Sequence, residues 1–110
     1  MKDLISLDTL QRADIRIGTI TNVSRIKGSD KLLHLHVDLG DEVRSIVAGI
    51  AEYYDDIEEF IGVQIPIVIN LEPRTMRGVE SQGMMLAADD NGTPVLLKPI
   101  MPVTNGSIVR

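Results

Sequence analysis

Short runs in which apolar and polar residues alternate are the feature that most constrains the fold of this chain. In residues 14–23 isoleucines alternate with Arg, Gly and Thr, and in residues 33–39 Leu and Val occupy every second position. Successive side chains of a strand point to opposite faces, so each run predicts a strand with one buried face. Gly18, in the middle of the first run, indicates a bend or a close backbone approach. The pattern therefore predicts a curved antiparallel sheet.

The first half of the chain predicts three strands followed by a helix. The strands cover residues 14–23, 33–39 and 43–50. A hairpin turn at Gly40-Asp41 joins the last two of them. Within residues 52–61 the apolar side chains recur at a roughly helical spacing, which predicts a short acidic helix that plugs one end of the sheet.

The second half predicts two or more further strands. Residues 63–69 alternate again, and Pro66 places that strand at an edge or a bulge because proline cannot donate to the ladder. A fifth strand is predicted over 81–88, and the Asp-Asn-Gly turn at 90–92 leads into an apolar run at 95–97. Three strands, a helix and further strands are the order of an all-β, five-stranded OB-fold barrel with one short helix between strands 3 and 4.

The length of 110 residues predicts one domain over 1–110, with extensions at both ends of the barrel. The N-terminal extension, 1–12, is expected to contain a short amphipathic helix that starts near Ser6. The C-terminal extension covers 98–110. Both extensions carry apolar residues outside the barrel, which are Leu4, Ile5, Leu7, Leu10, Ile100, Met101, Pro102 and Val103. These residues either mediate a homodimer or cover the open edge of the barrel.

The absence of cysteine excludes disulfides, thiolate metal sites, iron–sulfur clusters and cysteine nucleophiles. The first twenty residues contain three aspartates and no signal-peptide core, so a cytoplasmic protein is expected. The longest nearly apolar stretch, 63–71, is far shorter than the roughly 20 residues of a membrane-spanning helix. No membrane contact is expected.

No arrangement of residues predicts catalysis, a metal or a cofactor. The chain lacks a nucleophile elbow, a phosphate-binding glycine loop and a recognisable nucleophile with its base. His34 and His36 lie on one face of the second strand in a His-x-His arrangement that metals use. With no other His or Cys, a metal site would lack strong ligands, so the wetter face of a half-buried strand is the favoured interpretation. We expect a protein that is not itself an enzyme.

The charge distribution is uneven. The net charge of −5 argues against a nucleic-acid partner on its own. Five of the sixteen acidic residues fall within 52–59, where there is no Lys or Arg, and the rest of the chain is neutral. A basic patch therefore remains compatible with the composition, and Arg74 and Arg77 are its candidates.

The aromatic residues predict how a nucleic acid would be bound. Tyr53, Tyr54 and Phe60 all fall in the predicted helix, so the strands offer none of these rings for stacking. Any RNA would be recognised by its phosphates, its ribose hydroxyls and its shape. Residues 70–84 are the densest in polar, basic and glycine residues, and they form either a binding loop or a solvated connector.

Several stretches of the chain resemble the tRNA-binding domain family built on the OB-fold. They are Asp14-Ile15-Arg16-Ile17-Gly18, Ser29-Asp30-Lys31-Leu32, Val37-Asp38-Leu39-Gly40, Arg44-Ser45-Ile46-Val47-Ala48-Gly49-Ile50, Asn70-Leu71-Glu72-Pro73 and Met76-Arg77-Gly78-Val79-Glu80-Ser81-Gln82-Gly83-Met84. The family includes stand-alone tRNA-binding proteins and the C-terminal domain or separate beta subunit of methionyl-tRNA synthetase.

The resemblance implies structure-directed, largely sequence-independent binding of tRNA, by a homodimer or by an accessory of a synthetase catalytic subunit. The implied phosphate contacts are Lys31, Arg44, Arg74 and Arg77. The residues that shape the contact surface are Asn70, Ser81 and Met84. The chain departs from the family at Ile26-Lys27, where His-Pro is common, and at Glu72, where a basic residue is common.

Two other functions remain open. A secretion-associated branch of the same fold family, a peptide-binding chaperone-like homodimer, resembles the chain at Pro102-Val103-Thr104-Asn105-Gly106, and the net acidity favours it. The intact run from Met76 to Met84 favours tRNA. The third interpretation is a structural subunit that holds a synthetase by its terminal segments and contacts little RNA.

Overall fold

The alternating runs form a strongly curled, five-stranded sheet of the OB type. The computed structural model describes all residues, 1–110. The antiparallel main sheet has the order β3-β2-β1-β4-β7, and β5-β6 and β8-β9 form two separate hairpins. The strands are β1 (Ile15–Arg25), β2 (Leu33–Asp38), β3 (Val43–Ala48), β4 (Gln64–Val68), β5 (Arg74–Met76), β6 (Val79–Ser81), β7 (Met84–Met85), β8 (Ala87–Asp90) and β9 (Thr93–Leu96). The predicted fold class is confirmed.

The long strand β1 curls the sheet because it changes partners along its length. Its first half pairs with β4 and its second half with β2, and a bulge between Ile20 and Asn22 interrupts the second ladder. Gly18 lies at the change of partner. A Cβ added there would lie 2.5 Å from Val37 Cγ1 and 2.9 Å from the carbonyl oxygen of Asp38. The close backbone approach predicted at Gly18 is therefore confirmed.

The core lies inside the curl and follows the alternation of the strands. On β2, Leu33, Leu35 and Val37 are fully buried, and the residues between them are half-buried. On β4, Ile65 and Ile67 are fully buried. Burying such a side chain stabilises a fold by roughly 1.5–3 kcal/mol, so this inner face accounts for much of the driving force for folding.

The segment between β3 and β4 differs from its prediction. In place of one helix there are two short 3-10 helices, Ala51–Tyr53 and Ile57–Phe60, separated by residues 54–56, of which Tyr54 is extended. Neither has a side-chain N-cap, and each is about a turn long, too short to sustain an α-helix. Tyr54, Ile57 and Phe60 nevertheless pack against the core, as the apolar spacing predicts.

The region after β4 also differs from its prediction. Within residues 70–84, expected to be a binding loop or a connector, β5 and β6 form a hairpin, and the fifth strand of the main sheet is the two-residue β7 within the predicted 81–88.

Pro66 was predicted at an edge or a bulge but lies in β4, an interior strand of the main sheet. Its carbonyl oxygen accepts from the backbone N–H of Leu86, on the side of β4 that faces β7. β7 pairs only with Ile67 and Val68, so no strand residue on that side lies opposite the nitrogen of Pro66. Proline is tolerated there because no ladder bond to its nitrogen is required.

The terminal segments flank β1. The predicted N-terminal helix is present as α1 (Leu7–Gln11), and the Ser6 side chain accepts from the backbone N–H of Thr9 as its N-cap. The C-terminal segment hydrogen-bonds to the edge of β1 that β2 leaves free, through Ile17 N to Ser107 O at 2.9 Å and Val109 N to Ile15 O at 2.8 Å. No helix of the protein is long and apolar enough to cross a bilayer.

Candidate nucleic-acid interface

The β5-β6 hairpin presents Arg77 at its tip. Its two-residue turn consists of Arg77 and Gly78, both with positive φ, 51° and 80°. Two-residue turns with positive φ at both positions match the right-handed twist of the flanking strands. Arginine in this left-handed conformation is uncommon, which is why the Arg-Gly pair gave no hairpin signal in the sequence. Arg74 lies at the base of the hairpin, opposite Ser81.

The hairpin is attached to the edge of β3 by side chains as well as backbone. Gln82 donates its backbone N–H to Ser45 O at 2.7 Å, and its side-chain Oε1 accepts from Ser45 N at 3.1 Å. The Ser45 hydroxyl donates to Glu80 O at 2.7 Å. The edge of β3 is therefore covered, and the arginines of the hairpin project from a well-supported base.

A groove of about 440 Å³ lies between β3 and the hairpin. Its apolar lining is supplied by Val47, Leu71, Pro73, Met76 and Met84. Two charged residues, Glu72 and Arg74, also line it. Neither forms an ion pair, since the two ion pairs of the protein are Arg16–Asp14 and Arg44–Glu42. The groove is thus an apolar slot with one free cation and one free anion.

Four of the seven predicted site residues have free, exposed side chains. Arg74 and Met84 line the groove, and Arg77 occupies the tip of the adjoining hairpin. Lys31 is exposed in the loop between β1 and β2, away from the hairpin in sequence. No side-chain hydrogen bond or ion pair engages any of the three cations, which leaves them available to phosphates.

Arg44 is engaged within the protein. Its Nη1 donates to the carbonyl oxygens of Ile69 at 2.5 Å and Gln82 at 3.1 Å, and its Nε pairs with Glu42. The guanidinium joins the end of β4 to the segment that follows β6. Arg44 thereby fixes both ends of the segment that contains the hairpin.

Asn70 is engaged in the same way. Its Oδ1 accepts from the backbone N–H of Asp14 at 2.8 Å, and its Nδ2 donates to the carbonyl of Arg12 at 2.7 Å. The amide clamps the segment after α1 to the end of β4. Both polar atoms of Asn70 are therefore used to hold the chain before β1.

Ser81 is buried, with 4% of its surface exposed. Its hydroxyl accepts from the backbone N–H of Val47 at 2.9 Å and donates to the carbonyl of Gly83 at 3.1 Å. Gly83 is confined to this backbone path, because a Cβ there would lie 2.7 Å from Val68 O and its φ is +150°. Ser81 and Gly83 both line the groove, and these contacts hold them in place.

Ser81→Ala is expected to destabilise the fold by about 2 kcal/mol, because the buried N–H of Val47 loses its acceptor. The free energy of unfolding in urea measures the loss. Ser24→Ala is the control, since Ser24 is exposed on β1 and forms no side-chain hydrogen bond. Equal stability of the two variants would contradict the role of the Ser81 hydroxyl.

Residues 70–84 have no net charge, because Glu72 and Glu80 balance Arg74 and Arg77. A broad positive field is therefore absent from this segment. Individual arginine contacts, which are charge-assisted and directional, have to account for any phosphate binding here. The sequence reveals the charges of these residues, but not that Glu72 and Arg74 line one groove.

His34 and His36 stand side by side on the outer face of β2, with ring centroids 4.6 Å apart. His34 Nε2 lies 2.7 Å from the Ser45 hydroxyl, whose own hydrogen is donated to Glu80 O. Nε2 must therefore donate, which places the proton of the neutral ring on Nε2. No group of three or more His, Cys, Asp or Glu residues is placed to hold a metal ion.

The pKa of His34 is expected to lie below that of a free histidine. Partial burial lowers it first, and the nearby His36 lowers it further. An NMR titration of the ring nitrogens measures the pKa and, at high pH, reports the tautomer. A midpoint at or above that of a histidine in a model peptide, or a proton on Nδ1, would contradict this geometry.

Comparison with known proteins identifies the kind of domain. A family model described as "Putative tRNA binding domain" matches residues 15–108. The methionine–tRNA ligase of Methanothrix thermoacetophila is 52% identical over 109 residues, which are 99% of this chain but 16% of that ligase. The chain thus matches about one sixth of the length of such a relative.

Solved structures extend the comparison. A protein related to methionyl-tRNA synthetase from Pyrococcus horikoshii superimposes with a TM-score of 0.93 at 34% identity, over 99% of this chain and 100% of that one. The chaperone CsaA of Bacillus anthracis superimposes with a TM-score of 0.87 at 28% identity, over 98% and 100% of the two chains. The family match, the relative and the shared fold lead to one conclusion: the chain belongs to the family of tRNA-binding domains related to the methionyl-tRNA synthetases.

Proposed function

We propose that this chain binds tRNA by its shape and backbone, largely independently of sequence, through the hairpin and the groove beside it. In this proposal Lys31, Arg74 and Arg77 contact phosphates and Met84 contacts the RNA surface. Arg44, Asn70 and Ser81 hold the segments that present them. The chain itself is non-catalytic and acts in the cytoplasm, where tRNA is aminoacylated.

The proposal is carried by one observation: Arg74 and Arg77 lie on a firmly attached hairpin, and neither guanidinium has a partner in the protein. An arginine whose guanidinium has no protein partner gains most from a phosphate, with which it forms paired, charge-assisted hydrogen bonds. The aromatic rings are placed elsewhere: Tyr54 and Phe60 pack edge to face and Tyr54 donates its hydroxyl to Pro94 O. Recognition of backbone and shape fits these placements better than stacking of successive bases.

The proposal includes assembly as a homodimer or with a synthetase catalytic subunit. A second, largely apolar groove is lined by Leu7 and Leu10 of α1 together with Ile15, Ile108 and Val109. Leu4 and Ile5, which precede α1 in the chain, are 93% and 65% exposed. An apolar groove of this kind is typical of a protein interface.

Binding to total tRNA tests the proposal. The affinity of the purified chain is measured for tRNA, for an unstructured single-stranded RNA and for an unfolded peptide, at two salt concentrations. We expect preference for tRNA and a decrease of log K with log salt of about 0.7–0.9 per phosphate contacted. Equal affinity for both RNAs would contradict recognition of shape.

A peptide-binding chaperone is the second candidate function, favoured by the structural similarity to CsaA. The segment Pro102-Val103-Thr104-Asn105-Gly106 is held against the barrel through Asn105, whose Oδ1 accepts from Thr19 at 2.7 Å and from Gln64 at 3.0 Å. This segment therefore has a structural role irrespective of the ligand. Peptide binding without tRNA binding would favour the chaperone, and binding of neither would favour the structural-subunit interpretation.

A further inference from the structure

The groove beside the hairpin combines features that a sequence-independent RNA contact does not require. Phosphate contact needs cations, yet the groove is mainly apolar and includes the carboxylate of Glu72. A carboxylate close to RNA phosphates is repelled by them, so its presence is unfavourable unless it binds a hydrogen-bond donor of the ligand. Glu72 has no partner within the protein that would account for it.

We propose that the groove binds one unpaired guanine of the RNA, with Glu72 accepting hydrogen bonds from its Watson–Crick edge and Arg74 contacting the neighbouring phosphate. The inference rests on the proposed function and adds a base preference to it. The rest of the RNA is still bound through its shape and backbone.

The chemistry of the four bases selects guanine. A carboxylate has two acceptor oxygens and no donor. Guanine presents two donors side by side on its Watson–Crick edge, N1–H and the N2 amino group. Adenine and cytosine each place a ring-nitrogen acceptor next to their amino group, and uracil places its N–H between two carbonyls. These acceptors repel the carboxylate oxygens, so only guanine donates a hydrogen bond to both oxygens at once.

The apolar lining suits the faces of the base. Met76 and Met84 have flexible, polarisable side chains that pack well against aromatic rings. Pro73 and Leu71 add rigid apolar surface on the same groove. The volume of about 440 Å³ is within the range of sites that hold small ligands. The volume of the groove is therefore sufficient for one nucleotide.

The cation and the floor complete the site. Arg74 lies two residues from Glu72, so one groove offers a group for the base and a group for the phosphate of the same nucleotide. The floor is formed by Ser81 and Gly83, which hydrogen bonds and a close backbone contact hold in place. A preformed site of this kind loses little free energy to ordering when it binds.

Binding of the four nucleoside monophosphates to the whole chain tests the inference. GMP, AMP, CMP and UMP are each titrated into protein labelled at the methionine methyl groups. Of the five methionines, Met76 and Met84 line the groove, whereas the buried Met85 serves as an internal reference. We expect GMP to shift the Met76 and Met84 signals with a Kd about tenfold or more below the Kd of the other three.

Glu72→Gln separates base recognition from charge. The amide keeps one acceptor but replaces the other with a donor, so the preference for GMP is expected to disappear. The other nucleotides should bind equally well or better, because the repulsion of their phosphate is removed. Glu80→Gln is the matched control: it removes a carboxylate from the adjoining hairpin, outside the groove, and it should retain the preference.

Three results would overturn the inference. They are equal Kd values for the four nucleotides, a uniform change of all four Kd values in Glu72→Gln, and methyl shifts that appear with an unfolded peptide but with no nucleotide. Total tRNA binding is measured on the same samples. If the unsubstituted protein binds tRNA but shows no preference for GMP, the guanine site alone is refuted, whereas absence of tRNA binding to that protein refutes the proposed function.

Discussion

Gly18→Ala is expected to lower the free energy of unfolding by about 3 kcal/mol, at the upper end of what overpacking costs. The new methyl group would lie 2.5 Å from Val37 Cγ1 and 2.9 Å from both Asp38 O and Leu39 Cδ2. A backbone oxygen and two core side chains cannot all move away, because β1 is held on its two sides by β4 and β2. The substitution therefore destabilises the close approach of β1 and β2 that the curled sheet requires.

Thermal and urea unfolding measure the effect, with an expected decrease in Tm of roughly 10–20 °C for a domain of this size. Gly49→Ala is the matched control, since an added Cβ there meets nothing within 4 Å and its φ is ordinary. This control should be nearly neutral. If both variants unfolded at the same temperature, the close approach at Gly18 would not govern stability.

The first four strands of the main sheet were predictable because their signal is local. Leu33, Leu35 and Val37 alternate with polar residues, and the alternation alone predicts which face is buried. The single helix predicted in 52–61 was wrong in type because periodicity reports which side chains face the core but not the hydrogen-bonding pattern of so short a segment. The packing of Ile57 and Phe60 on the core was still predictable.

The candidate site was predictable in part, since residue type indicates which groups can bind phosphate but not which of them the fold leaves without a protein partner. Arg74 and Arg77 are free, whereas Arg44, of the same type, donates to the carbonyls of Ile69 and Gln82, 25 and 38 residues away in sequence. Asn70 reaches Asp14 across 56 residues. Such long-range partners leave no local pattern, so structural and ligand-facing polar residues look alike in the sequence.

Because Arg74 and Arg77 have no partner in the protein, their substitution is expected to have the largest effect on tRNA binding. The double variant Arg74→Gln, Arg77→Asn is expected to weaken tRNA binding by about 3 kcal/mol, on the order of a hundredfold in Kd, as two charge-assisted contacts are lost. Asparagine is chosen at position 77 because the turn requires φ near +51°, which asparagine tolerates better than alanine. The fold should therefore remain intact, as circular dichroism and unfolding would verify.

The salt dependence identifies the cause of that loss. Each phosphate contact removed should reduce the slope of log K against log salt by about one, so the double variant should lose about two. Lys2→Gln, Lys98→Gln removes the same two charges outside the proposed site and should leave both affinity and slope nearly unchanged. An equal loss in the two double variants would mean that the RNA responds to net charge alone. A loss confined to the arginine variant, with the reduced slope, would assign the phosphate contacts to the hairpin, since both proteins have the same net charge.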